Sequence, residues 1–164
     1  MHNVWGLRPR RLLGIESHLA VPLARCLQDL DVHLVISSSQ RRIHTVDELQ
    51  KRLNEACNGL IKFPDICGVT PTIPKKIRGE EIKTFLEEKA KLGLDTSCYC
   101  ILDDDSGMLP EQRPHFVHTD AMQGLTLKDI YTIYQILDPE KESTEHRSLA
   151  LMFSKPHTSM GRVV

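Results

Sequence analysis

The chain has 164 residues, 40% hydrophobic and 26% charged; this is globular composition, long enough for one domain with a real core, and excludes a disordered chain. Lys+Arg 21 against Asp+Glu 22 leave a formal net charge of -1, so no whole-chain attraction draws it to nucleic acid or to an anionic membrane. No apolar run approaches the ~20 residues of a membrane-spanning helix, and Leu12-Leu13-Gly14 falls far short of the apolar stretch of a secretory signal.

The first fifteen residues carry Arg8, Arg10 and Arg11 and no acid. They read as a solvated loop, with an organellar targeting stub or a nucleic-acid or partner contact as alternatives. Pro22 to Leu30 reads as a helix, with the proline in its first turn. Val32-His33-Leu34-Val35-Ile36 is a β-branched run that ends in Ser37-Ser38-Ser39. Thr45-Val46-Asp47-Glu48 is a capping box opening a helix whose apolar positions are Val46, Leu49, Leu53 and Ala56, with Gly59 just beyond its end. Ile66-Cys67-Gly68-Val69 is a short strand before Thr70-Pro71. A second helix follows Pro74-Lys75-Lys76, with Ile82, Phe85 and Leu86 inward and Gly93 as its stop. Cys98 to Leu102 is a third strand, ending in Asp103-Asp104-Asp105, and Phe116 to His118 a fourth. Thr126 opens a last helix with Ile130, Ile133, Tyr134 and Leu137 on one stripe, closed before Pro139. Residues 1–138 form the domain, and 139–164 a polar tail with a short apolar segment.

The five cysteines include no Cys-x-x-Cys pair. Cys98 and Cys100, two apart on a strand, share one face. His115 and His118, three apart, fall on opposite faces, so the four lack the paired spacing of a structural zinc site. Reduced, mostly buried thiols in an intracellular, cytoplasmic protein are expected, with a mitochondrial location the alternative.

Strands alternating with helices across short loops predict an α/β fold, a parallel sheet covered on both faces. Ligands of such sheets bind beyond the carboxyl ends of the strands. Two predicted strands end there in polar clusters, Ser37-Ser38-Ser39 and Asp103-Asp104-Asp105. Adjacent carboxylates repel unless a cation or a basic side chain lies among them. Mg²⁺ suits such hard oxygen ligands, usually one or two carboxylates with phosphate and water. Serine hydroxyls can bind phosphate oxygens, and Arg78, backed by Lys75 and Lys76, stands between the clusters in sequence. Each cluster alone also suits an ordinary solvated loop; together and in order they describe a phosphoryl-transfer edge.

From Val32 to Leu137 the chain resembles the haloacid dehalogenase (HAD) superfamily, and more narrowly the small HAD domain of "Swiss army knife" RNA repair proteins. The resemblance rests on Val35-Ile36-Ser37-Ser38-Ser39-Gln40-Arg41, Gly68-Val69-Thr70-Pro71, Arg78-Gly79-Glu80-Glu81-Ile82, Ile101-Leu102-Asp103-Asp104-Asp105-Ser106, Phe116-Val117-His118-Thr119-Asp120 and Gly124-Leu125-Thr126. It implies a three-layer Rossmann-like HAD domain, with a mostly parallel sheet and little or no cap. It implies Ser37, with Ser38 beside it, as the phosphate-binding motif II residue, and Arg78 as the basic residue of motif III. Asp103 and Asp104 become the motif IV ligands of Mg²⁺. Gln40 and Gly107 stand where the family often has Trp and Asp.

One departure bears on activity. The family's nucleophile belongs to motif I, Asp-x-Asp-Gly at the end of a central strand, and no Asp precedes Asp29. Asp29-Leu30-Asp31 has the right letters but precedes a strand instead of ending one. Asn3-Val4-Trp5-Gly6-Leu7 would be its decayed form, in which Asn3 cannot form a phospho-aspartyl intermediate and Trp5 cannot act as acid or base.

A sheet lacking that strand exposes unpaired backbone groups in its middle. It is expected to be completed by a protein partner, by homo-oligomerisation, by residues 1–7 or by an upstream segment. The sequence thus predicts a HAD-like pseudoenzyme, a binding or structural subunit with a residual phosphate/Mg²⁺ site and no catalytic residue of its own. The alternative is a Mg²⁺-dependent phosphohydrolase of nucleotides or nucleic-acid phosphate ends, with motif I supplied from upstream.

Overall fold

The computed structural model describes residues 17–138; Asn3, Trp5, the arginines at 8, 10 and 11, and the tail 139–164 lie outside them. Over the described residues the chain runs through α1 (Ser17–Asp29), β1 (Leu34–Ile36), α2 (Val46–Ala56), β2 (Ile66–Val69), α3 (Arg78–Lys91), β3 (Ile101–Asp103), β4 (Phe116–His118) and α4 (Leu127–Leu137), with two 3-10 turns at Ser39–Arg42 and Pro110–His115.

Helix starts follow local chemistry. Thr45 accepts from the Glu48 N–H at 3.2 Å, and Glu48 returns a carboxylate oxygen to the Thr45 N–H at 2.9 Å. Thr126 and Asp129 repeat the reciprocal cap at α4. Gly59 and Gly93 follow α2 and α3 with φ of 75° and 81°, a conformation glycine adopts without steric penalty.

Two expectations need correction. Helix α1 starts at Ser17, so Pro22 lies inside it and not in its first turn. The proline gives up one backbone donor, and burial of Ala20, Leu23, Ala24 and Cys26 along one stripe holds the helix regardless. Strand β3 begins at Ile101, so Cys98 and Cys100 do not share a strand face. His115 closes a 3-10 turn and stacks on Tyr99 with ring centroids 4.2 Å apart; its placement follows from that turn.

Both strand pairs are parallel. Leu34 lies opposite Ile66 and Ile36 opposite Val69, with a register shift after Leu34; Ile101 lies opposite Phe116 and Asp103 opposite His118. Alternation along β3 and β4 sends side chains to two cores. Leu102 and Val117 join α1, α2 and α4 in the larger one, and Ile101 and Phe116 meet Ile82 and Leu86 of α3 in the smaller. This is an α/β fold with helices on both faces, and among the described residues its parallel strands pair as β1 with β2 and β3 with β4. No helix among the described residues is long and apolar enough to cross a membrane.

Candidate functional site at the carboxyl ends of the strands

β1 and β2 are followed directly by Ser37 and Thr70, and β3 ends on Asp103. Parallel pairing within each sheet brings these residues to carboxyl ends. Ser37 and Thr70 are buried, and Asp103 is 1% exposed. The Thr70 hydroxyl donates to Ser37 Oγ at 3.4 Å. Arg78, the first residue of α3, joins the two sheets: its Nη1 donates to Ser37 Oγ at 3.4 Å, and its Nε lies 3.8 Å from Asp103 Oδ2. Of the five residues that the sequence picked out, the structure therefore brings Ser37, Arg78 and Asp103 together.

Ser38 behaves differently. It is fully buried, and its hydroxyl accepts from the Gln40 N–H at 3.2 Å, capping the 3-10 turn. Its side chain shapes the loop that carries Ser37. Asp104 stands next to Asp103, and its buried Oδ1 has no hydrogen-bond partner among the described residues. Its backbone carbonyl accepts from His118 Nε2 at 3.1 Å.

The aspartate cluster also holds its own loop. Asp103 Oδ1 accepts from the Asp105 N–H at 3.0 Å, and Asp105 Oδ1 from the Gly107 N–H at 2.9 Å. Burial works against the Asp103 charge. Its carboxyl nevertheless titrates below the ordinary range, and the Asp105 N–H and the Arg78 guanidinium are among the groups that favour the anion.

Could a divalent cation sit here? No group of three or more His, Cys, Asp or Glu is placed to hold one among the described residues. Mg²⁺ needs only one or two carboxylates when phosphate and water complete its octahedron. Asp103 and the orphaned Asp104 oxygen fit that requirement. Zinc fares worse, because the His115 ring is stacked on Tyr99 with its Nδ1 against the Tyr99 carbonyl and no tetrahedral set of thiolates and imidazoles is gathered among the described residues.

The sequence did not single out what holds this edge in shape. The Arg41 side chain, 2% exposed, aims its guanidinium into the loops after β1 and β2. It donates to the carbonyls of Ser37, Ser38 (2.9 Å), Thr70 (2.9 Å) and Pro71 (3.1 Å), and to Glu81 Oε2 at 2.7 Å. Glu81, on the first turns of α3, also accepts from the Ile73 N–H at 3.0 Å. One buried ion pair thus ties both strand ends to the helix that presents Arg78. Burial lowers the Arg41 pKa and the Glu81 charge opposes the shift.

Asp29 and Asp31, the Asp-x-Asp pair, lie at the opposite end of β1 from Ser37. Asp29 closes α1 and accepts from the Tyr134 hydroxyl at 3.2 Å; Asp31 sits in the turn before β1 with φ of 49°. Their position excludes them from the edge formed by Ser37 and Arg78.

No curated protein and no solved structure matches this chain at a significant level. A family profile described as the HAD domain in Swiss Army Knife RNA repair proteins matches residues 6–130. That span takes in every described strand and the edge built by Ser37, Thr70, Arg78 and Asp103, so the chain belongs to the family of HAD domains found in Swiss Army Knife RNA repair proteins.

Proposed function

We propose that this chain is a HAD-fold binding subunit that holds a phosphorylated ligand at the carboxyl edge of its strands without hydrolysing it. The observation that carries the reading is Arg78, a guanidinium within reach of both the Ser37 hydroxyl and the Asp103 carboxylate. A phosphate there would take hydrogen bonds from Ser37, Thr70 and the fork of Arg78. Asp103 and Asp104 would hold Mg²⁺ against it, and the ion would neutralise phosphate charge. The ligand class is a phosphorylated small molecule or a nucleic-acid phosphate end.

Loss of hydrolysis rests on the nucleophile. Asp29 and Asp31 are at the wrong end of β1, and the carboxylates of Asp103 and Asp105 already accept from backbone N–H groups of their own loop.

A second reading, a Mg²⁺-dependent phosphohydrolase, is favoured by the same cluster: a strand lying beside β1 and ending near Arg78 would place an aspartate against the bound phosphate. Turnover decides between them. The purified chain is assayed with Mg²⁺ on p-nitrophenyl phosphate, nucleoside monophosphates and 5′- or 3′-phosphorylated oligonucleotides, beside orthophosphate and vanadate titrations. Binding without turnover, weakened in Arg78→Ala, is expected. Turnover that Asp103→Asn abolishes establishes the enzyme; unchanged anion affinity in Arg78→Ala removes Arg78 from the site.

A further inference from the structure

Gln112 sits in the 3-10 turn that precedes β4 and is 1% exposed. Both halves of its amide are engaged. Nε2 donates to the Gly79 carbonyl at 2.8 Å, and Oε1 accepts from the Leu109 N–H at 2.9 Å. One partner is an acceptor and the other a donor, so the group between them must donate at one end and accept at the other, as an amide does. A carboxylate would set an oxygen against the Gly79 carbonyl. An apolar side chain would leave both backbone groups without this partner, which folding penalises.

The two segments that Gln112 joins each carry part of the candidate site. Gly79 follows Arg78 on the first turn of α3, and Leu109 lies just beyond the aspartate loop. A second link runs beside the first, from the Gly79 N–H to the Gly107 carbonyl at 2.9 Å. From there hydrogen bonds lead back to the site, from the Gly107 N–H to Asp105 Oδ1 and from the Asp105 N–H to Asp103 Oδ1. Asp103 Oδ2 then faces Arg78 Nε at 3.8 Å, which closes the circuit. The contact has no slack, because a Cβ on Gly79 would lie 2.6 Å from Gln112 Oε1 and from the Leu109 nitrogen.

Within this circuit the ion pair is long. Charge-assisted N–H···O bonds close to about 2.7–2.9 Å when their partners are free to meet. Arg78 Nε and Asp103 Oδ2 stand at 3.8 Å although their side chains are only 10% and 1% exposed.

We infer that Gln112 is a positioning residue of this edge: it fixes the start of α3 to the aspartate loop and so holds the Arg78 guanidinium out for an incoming phosphate instead of letting it close on Asp103. The inference rests on the phosphate reading above and adds to it a residue whose own amide bonds only backbone. Glu81, paired with Arg41, braces α3 from the β1–β2 side; Gln112 braces it from the β3–β4 side. Arg78 is thereby oriented before a ligand arrives, and binding has less to order.

The test is an orthophosphate titration of the purified full chain, without Mg²⁺, in wild type, Gln112→Met, Arg78→Ala and the double variant. Methionine keeps the length of the side chain and loses both hydrogen bonds. Gln112→Met is expected to bind several-fold more weakly. Added to Arg78→Ala it should cost nothing further, because residues that act through one another are not additive. In the ligand-free protein the Arg78 Nε–H resonance, identified by its loss in Arg78→Ala, should shift or broaden in Gln112→Met. A role in stability alone would leave the affinity and that resonance of the folded chain unchanged, and a role elsewhere in the site would weaken binding by the same factor in both backgrounds; either result overturns the inference. Gly79→Ala, which pushes the same helix start off the same amide, takes the place of Gln112→Met in the cycle where that variant does not fold. Wild type that binds no orthophosphate overturns the phosphate reading and this inference with it, whereas wild-type binding with unchanged affinity in Gln112→Met overturns this inference alone.

Discussion

At the residue scale, the pair Arg41–Glu81 matters more to the site than its sequence context suggested. Removing one partner of a buried ion pair leaves the other charge uncompensated, which typically costs ~3–5 kcal/mol. Arg41→Ala is therefore expected to lower the urea midpoint steeply and to weaken anion binding by loosening the Ser37 loop, although Arg41 does not contact the proposed phosphate position. Arg41→Lys keeps the charge but not the fork, and should recover part of the stability and little of the four-carbonyl clamp. Gly79 offers a second test. A Cβ there would lie 2.6 Å from both Gln112 Oε1 and the Leu109 backbone nitrogen, whereas at Gly68 it would meet only the Phe85 ring at 3.3 Å. Gly79→Ala should destabilise by roughly 1–3 kcal/mol in denaturant titrations, and Gly68→Ala by less. Ser37, Arg78 and the aspartates were legible because charged and hydroxyl residues ending apolar runs announce a strand end. Arg41 and Glu81 were not, because the signs of two residues 40 positions apart show no pairing until the loops fold over one another.

Among the elements, the helices were the most legible. Each capping box operates within four residues of chain, so Thr45–Glu48 and Thr126–Asp129 form as local chemistry dictates. Thr45→Ala removes the side-chain acceptor of α2 and should cost about 1 kcal/mol, read as a lower thermal midpoint. The same caps set a pH response. Glu48 is held below its ordinary pKa first by the Thr45 N–H, and Asp120, in the turn before α4, first by the Gln123 N–H and then by that of Met122. A depressed folded-state pKa gives stability that is fully present above the unfolded value, near 4, and is lost as pH falls through the folded one. The thermal midpoint is expected to be level from neutral pH down to about 5 and to fall below about 4. Replacing Glu48 with Gln and Asp120 with Asn together should flatten that fall; an unchanged slope would assign it to other carboxylates. Strands were legible as apolar runs but not in their limits. Val32 and His33 lie outside β1, and Cys98 to Cys100 outside β3, because a strand ends where its neighbour does and the neighbour is remote in sequence.

For the whole molecule, Arg78 has the widest reach, since it lies beside the carboxyl ends of both sheets. Anything that binds there stabilises the entire fold by mass action, by about 2.7 kcal/mol at a hundredfold excess over Kd. Millimolar Mg²⁺ with orthophosphate should therefore raise the thermal midpoint of the wild-type chain. Asp103→Asn should abolish the Mg²⁺-dependent part and Arg78→Ala the phosphate-dependent part; no shift in wild type would remove the anion and cation site together.

By itself the sequence determined the α/β class, the order of helices and strands, the caps and the edge at which Ser37, Arg78 and Asp103 collect, because these follow from periodicity and from chemistry spaced within a few residues; the family followed from the resemblance of its motifs. Only the tertiary structure decided that Ser38 caps a turn instead of joining Ser37, that Arg41 and Glu81 lock the edge, and that among the described residues β1 pairs with β2 and β3 with β4. Those outcomes depend on which distant backbone a buried charge or a strand edge finds opposite it, and no local pattern encodes that.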